Sequence, residues 1–230
     1  MIRQLVVAIC LWVGTGCGGI NETYKLEVDR RVAALHATPA SYGQEDGVPA
    51  QLEVGQWVEY KLTGSNKRPG FVTYKIVGRQ GEAFWVETVL TTYQGKQETR
   101  MLIDFGDRTD PEKFKVHAVK MRSNDKPMDI PPGTMQLMQA MWKPAMSSFV
   151  IDWSASAPRE NTSASAGQFE GCYKRRLDIG IGAYHQKSDA WLHPAVPING
   201  IVKSATIGKN PSLTELTAFG NQGATSSFDP

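Results

Sequence analysis

The spacing of apolar residues changes several times along this chain. Leu5 to Val13 is an unbroken apolar run. Between Tyr24 and Ala37, Leu26, Val32 and Leu35 stand among charged residues, which predicts a short helix. From Leu52 the period drops to two: Leu52 and Val54, then Val58, Tyr60 and Leu62, alternate with Gln, Glu and Lys, as on a half-buried strand. Val72, Tyr74 and Ile76 predict a second strand, Phe84 to Leu90 one that is apolar on both faces, Met101, Ile103 and Phe105 a fourth, and Phe114 to Met121 a fifth. The breaks at Ser65–Gly70, Arg79–Glu82 and Gln94–Lys96 carry turn residues, and connections this short join antiparallel neighbours. A five-stranded meander follows.

Pro131-Pro132-Gly133 interrupts that pattern, and Met135, Met138, Met141 and Trp142 then recur at helical spacing as far as Pro144. A helical insertion over 132–149 is expected. The stretch 154–171 is rich in Ser and Ala with almost no apolar content, which reads as a flexible exposed loop. Alternation returns in Tyr173 to Ile179, around Trp191, in Ile201 to Ile207 and in Leu213 to Phe219, and the tail 221–230 is expected to fray. Eight or nine strands without βαβ alternation predict a mainly β (α+β) fold. It is a single curved antiparallel sheet or open β-barrel over 51–220, with one helical insertion and a short N-terminal helix within 17–50.

The first apolar run carries an address. Arg3 supplies a positive n-region, and Leu5 to Val13 has the length of a secretory h-region, well short of the ~20 residues needed to span a bilayer. Gly14, Thr15, Gly16, Cys17, Gly18 and Gly19 follow it. Thr15-Gly16-Cys17 resembles the lipobox of bacterial lipoproteins, in which small residues precede an obligatory cysteine; Gly14 stands where that family usually has Leu. The resemblance implies a signal peptide over 1–16 and acylation of Cys17, a palmitate-bearing anchor. It also implies outer-membrane placement facing the periplasm, since Gly18 is not the Asp that retains such proteins in the inner membrane. A plain secretory signal with no role for Cys17 is the alternative. Each buried methylene of an acyl chain contributes ~0.8 kcal/mol, so such an anchor holds a protein on a membrane without a spanning helix.

Composition narrows the function classes. The chain has 230 residues with 25 Lys+Arg against 23 Asp+Glu, a formal charge of +2 that becomes +1 once Arg3 leaves with the signal. No field strong enough for a dedicated nucleic-acid binder results. With Cys10 removed and Cys17 capped, Cys172 is the one cysteine left, which excludes an internal disulfide. It lies beside Lys174, Arg175 and Arg176, which could lower a thiol pKa, yet its alternating surroundings fit a small buried strand residue better. No Gly-x-Ser-x-Gly elbow, phosphate loop, His-Glu-x-x-His or Cys-x-x-Cys is present, so no enzyme, cofactor or metal is expected. Gly180-Ile181-Gly182 reads as a bend in a strand, and Ser123-Asn124-Asp125-Lys126 as a chance match to a Ser-x-x-Lys pattern. His185, Asp189 and His193 share a parity that could gather them, but four residues of strand span roughly 13 Å, too far for one ion.

The methionines are the feature with binding content. Met135, Met138, Met141 and Met146, with Trp142, form a flexible face of the kind that repacks around ligands of different shape, although such a face also completes ordinary cores. A lipidated N-terminus, an early helix, a meander, a helical insertion and returning strands together resemble the periplasmic lipoprotein carriers and receptors of the LolA/LolB type, over Leu26 to Phe219. Gly55-Gln56-Trp57-Val58-Glu59-Tyr60 and Val196-Pro197-Ile198-Asn199-Gly200 are similar to segments of uncharacterised bacterial lipoproteins. The resemblance implies an incomplete barrel that holds acyl chains between sheet and helices. The expectation is a tethered protein binding a lipid, an acyl chain or a lipidated protein; a structural envelope adaptor with a filled core is the rival.

Overall fold

The computed structural model describes residues 19–36, 40–108, 110, 113–128, 149–150, 157–181, 184–208 and 211–228, and for 177–181 and 184–186 the backbone alone. Its one described helix, α1 (Glu22–Ala34), starts where Asn21 caps it: the Asn21 side chain accepts the backbone N–H groups of Thr23 and Tyr24 at 3.1 and 3.5 Å. Glu22 in the first turn and Arg31 in the last suit the helix dipole, and the chain turns extended at Leu35. The helix therefore starts two residues before, and stops three residues short of, the span expected from the sequence. Its anchor also differs. Val28 is fully buried, whereas Leu26 is 63% exposed.

Among the described residues twelve strands form one sheet that does not close: β1 (Ser41–Tyr42), β2 (Trp57–Thr63), β3 (Pro69–Gln80), β4 (Ala83–Thr92), β5 (Gly95–Asp104), β6 (Lys115–Ser123), β7 (Lys126–Met128), β8 (Arg159–Ala164), β9 (Gly167–Ile181), β10 (Tyr184–Leu192), β11 (Ile201–Ile207) and β12 (Leu213–Gly220). The order is β1-β9-β10-β11-β12-β2-β3-β4-β5-β6-β7, with β8 on β9. Strands β2 to β6 are the expected antiparallel meander, and β12 joins it through β2. Leu52 and Val54 are not part of it. They sit in the turn before β2, Leu52 buried and Val54 exposed, because Gln56 breaks the run by folding its amide back onto Glu53 N and Gln51 O.

The stretch expected to be a loop over 154–171 holds strand β8 and the start of β9. Its poverty in apolar residues misled because polar side chains and small residues fasten it. Asn161 accepts Gly171 N–H at 2.9 Å, Ser165 donates through both N–H and hydroxyl to Glu215, and Ala166 N–H reaches Leu216 O across the sheet at 3.2 Å. Gly171, at φ +62 and with Gln44 packed where a Cβ would go, bends β9 between its two halves.

Register sorts the meander into two faces. Val58, Tyr60, Val72, Ile76, Val86, Leu90, Met101 and Ile103 point to the core. On the outer face, Trp57, Lys75, Glu87, Arg100 and Lys120 stand in one cross-strand row, and Glu59, Thr73, Val89, Glu98 and Arg122 in the next. Helix α1 lies over one part of that face, with Arg31 2.5 Å from Glu59 and stacked 4.1 Å above the Phe71 ring. The C-terminal segment lies over the other part. It was expected to fray, and instead it is held at five strands: Trp57 Nε1 donates to Gln222 O, Lys75 to Thr225 O, Ser226 and Ser227 to Glu87, Arg100 to the Ser226 hydroxyl, and Arg122 to Ser227 O and over the Phe228 ring. Short polar residues suggested disorder, but their hydroxyls and carbonyls are the partners that the charged row requires.

Candidate functional site

The core face carries a connected run of rings. Tyr60 and Tyr74 meet edge-on at 6.2 Å, Tyr74 and Phe149 at 5.7 Å, and Phe105 lies 5.4 Å from Phe149 and 5.1 Å from Phe114. Toward β9, Tyr42 stacks on Phe169 at 4.5 Å and touches Phe219. The loop 193–200 between β10 and β11 seals one end of this core, with Val196, Ile198 and Asn199 buried. Its prolines and Ala195 remove side-chain bulk and donors, so the loop enters the core by pairing its backbone internally: His193 N–H to Gly200 O at 2.8 Å and Asn199 N–H to Pro197 O at 2.8 Å.

Three further polar side chains are buried there with Asn199. Tyr60 donates to Asn199 Oδ1 at 2.7 Å, which also takes Ile201 N–H at 3.2 Å; burial pushes the phenol far above its ordinary range. His193 donates from Nε2 to Gly43 O at 3.0 Å and accepts Ala195 N–H at Nδ1 at 3.2 Å, an assignment of the ring proton that uses both nitrogens. Burial holds it below the usual imidazole range. With both nitrogens engaged by backbone, His193 is a fastener of the loop.

Arg108 is the third, and it differs from the others. It is 9% exposed, and its backbone is left-handed at φ +59 in the turn after β5. Nε donates to Phe149 O at 3.2 Å and Nη2 to Ile198 O, itself at φ +67, a conformation costly for a β-branched residue. Nη1 is buried without a hydrogen-bond partner. Among the described residues no carboxylate pairs with this guanidinium, and desolvation draws its pKa down to about 10, which leaves it charged at neutral pH.

The residues expected from sequence are distributed unevenly over this picture. Cys17, Met135, Met138, Met141, Trp142 and Met146 lie outside the described residues, as does most of the expected insertion over 132–149, apart from buried Phe149 at its end. Asp189 binds Arg176 through both oxygens, at 2.8 and 3.2 Å, rather than facing His193, and the side chain of His185 is not among those described. Among the described residues no group of three or more His, Cys, Asp or Glu could hold a metal. Cys172 is fully buried and its thiol is pushed up to about 12, so the neighbouring basic residues do not activate it. Ser123-Asn124-Asp125-Lys126 is the tight turn between β6 and β7, with Asn124 and Asp125 both at positive φ. Ile181 ends β9, so the Gly180-Ile181 pair belongs to a strand.

Sequence reasoning passed over Arg108 and Glu87. Arg108 follows Gly106-Asp107 and reads as an ordinary turn residue, with no signal of burial. Glu87 did leave one: a lone carboxylate inside the apolar run Phe84 to Leu90. No protein-family profile matches the chain, and no curated protein matches it. No described helix is long and apolar enough to cross a membrane.

Proposed function

We propose that this protein is a membrane-tethered binding protein, anchored through acylated Cys17, that holds an acyl chain, a lipid or the acyl groups of a lipidated protein against the core face of its open sheet. The observation that carries the reading is the state of that face at the β4–β6 end. Phe84, Val119 and Met121 point to the core side of a sheet whose last strand, β7, pairs among the described residues with β6 alone, and all three remain half-buried. Apolar side chains left partly open on the inner face of a curved sheet favour an apolar guest. The segment bearing Met135, Met138, Met141 and Met146 follows β7 directly in the chain and supplies adaptable side chains for such a guest.

The test is native mass spectrometry of the mature chain purified without detergent, together with titration of an environment-sensitive fluorescent fatty acid at micromolar concentration. Co-purified lipid or a saturable fluorescence response supports the reading. A folded protein showing neither overturns it. The same sample tests the tether: the N-terminal peptide is expected to begin at Cys17 with a diacylglyceryl thioether, and Cys17→Ser is expected to remain unacylated.

A second reading has its own support. The rings from Tyr60 to Phe114 are in mutual contact and the loop 193–200 is buried against them, as in a filled core. An envelope adaptor that binds a protein through its rim would look the same at this end, and it would give no lipid and no fluorescence response.

A further inference from the structure

Arg108 holds a positive charge inside the aromatic core with one amino group unused. A guanidinium has five N–H donors and no acceptor, so charge and hydrogen-bond directions must be met by surrounding oxygens. Two are: Phe149 O and Ile198 O. Both are neutral carbonyls, neither cancels the charge, and Nη1 is left with nothing. Buried arginines are normally paired, since an uncompensated ion away from water is strongly unfavourable. The two other buried charges among the described residues, Glu87 and Glu98, follow that rule. The surroundings are also specialised: the two chain positions that meet here, Arg108 and Ile198, both hold left-handed backbone that non-glycine residues avoid, and such strain gathers at ligand clamps.

We propose that Arg108 is the anion anchor of the site, and that the ligand is an acidic amphiphile whose single carboxylate binds Nη1 while its hydrocarbon chain lies along the core face. This deepens the binding function proposed above and rests on it. The charge count selects the head group. One guanidinium with no second cation beside it among the described residues balances a monoanion, which favours a fatty-acid carboxylate over a phosphate dianion. The rings Phe105 and Phe149, in contact with each other at 5.4 Å, make the surface beside the guanidinium apolar, which suits the first carbons of such a chain. Exclusion of water from the guanidinium strengthens the contact, as in any charge-assisted hydrogen bond formed at low dielectric.

The experiment compares a long-chain fatty acid with its methyl ester on the mature protein, by displacement of the fluorescent probe, in wild type, Arg108→Met and Arg108→Lys. Wild type is expected to prefer the acid by about tenfold or more; Arg108→Met should erase that preference and leave ester binding unchanged, and Arg108→Lys should keep part of it. A second measurement needs no variant: the carboxyl carbon of a 13C-labelled fatty acid, followed by NMR through a pH titration, should ionise at lower pH when bound than when free. Equal affinity for acid and ester in wild type, or a bound carboxyl that titrates like a free one, overturns the anchor while leaving the binding function standing. Binding of neither ligand overturns both.

Discussion

The two faces of this one sheet treat buried charge in opposite ways. On the outer face Glu98 receives Arg122 through Nε and Nη2, at 2.9 and 2.8 Å, and Lys96 at 3.0 Å. Glu87, fully buried, receives the Ser227 N–H and hydroxyl at 2.9 and 3.1 Å and the Ser226 hydroxyl, with Arg100 at 3.8 Å. Both carboxylates help to close the fold: Glu87 binds the C-terminal segment directly, and Glu98 holds Arg122, which reaches Ser227 O and the Phe228 ring of that segment. On the core face Arg108 has two carbonyls and no counter-charge among the described residues. Glu98 Oε1 and Arg100 Nε also lack a hydrogen bond, but each has an opposite charge within 4 Å, so what sets Arg108 apart is the missing counter-charge, and that is what a ligand has to contribute.

Substitutions separate the two situations, and the outer face should respond most. Glu87→Ala strands two serine hydroxyls, one backbone N–H and Arg100 under the C-terminal segment, and should lower stability by about 3–5 kcal/mol in chemical denaturation. A loss below about 1 kcal/mol would mean that the segment is not held by this carboxylate. Phe228→Ala removes the ring beneath Arg122, 4.6 Å from its guanidinium, and should lose about 2 kcal/mol, less than a central core phenylalanine because the chain end can lift away locally. Arg108→Met should change stability by under about 1 kcal/mol in either direction, since the desolvation of an unpaired ion offsets its two hydrogen bonds. A large loss there would make Arg108 a strut of the fold and erase the contrast between the faces.

The sequence carried the strands far better than it carried these charges. Alternation located β2 to β6 and β9 to β12, because a sheet with one apolar core face imposes a period of two on every long strand. It missed β1, β7 and β8, which are short edge pieces fastened by backbone and polar groups, where no apolar period is needed. The C-terminal segment was illegible for a related reason: Ser226 and Ser227 are structural only because Glu87 waits across 139 and 140 residues of chain. Composition reports what a residue can do, whereas these contacts depend on which strand it meets. Arg108 was hidden in the same way. A turn arginine after Gly106-Asp107 looks solvated until Phe149 and Ile198 are folded over it. His193 showed the reverse: the sequence offered it as a possible ligand to a metal, and the fold engages both its nitrogens.

His193 gives the smallest and most specific test, because its ring nitrogens bind backbone rather than either set of charges. The loop holds the ring neutral, with Glu45 favouring the proton and Arg159 opposing it, and burial outweighs the rest to keep its pKa below the ordinary value near 6.5. In the unfolded chain the same imidazole takes up a proton as pH falls through that ordinary value, while in the folded state it does not until lower pH. The unfolded state therefore binds more protons in that window, and stability must fall as pH drops below about 6.5, by no more than about 1.4 kcal/mol per pH unit for one group. Above that window the contribution is complete and constant. His193→Gln keeps a side chain able to reach Gly43 O and removes the titration, so its stability should be flatter than wild type between pH 7 and the onset of carboxylate protonation at roughly pH 5. Parallel profiles for the two proteins would show that the ring is protonated as easily inside the fold as outside it, and that the loop 193–200 is open to water.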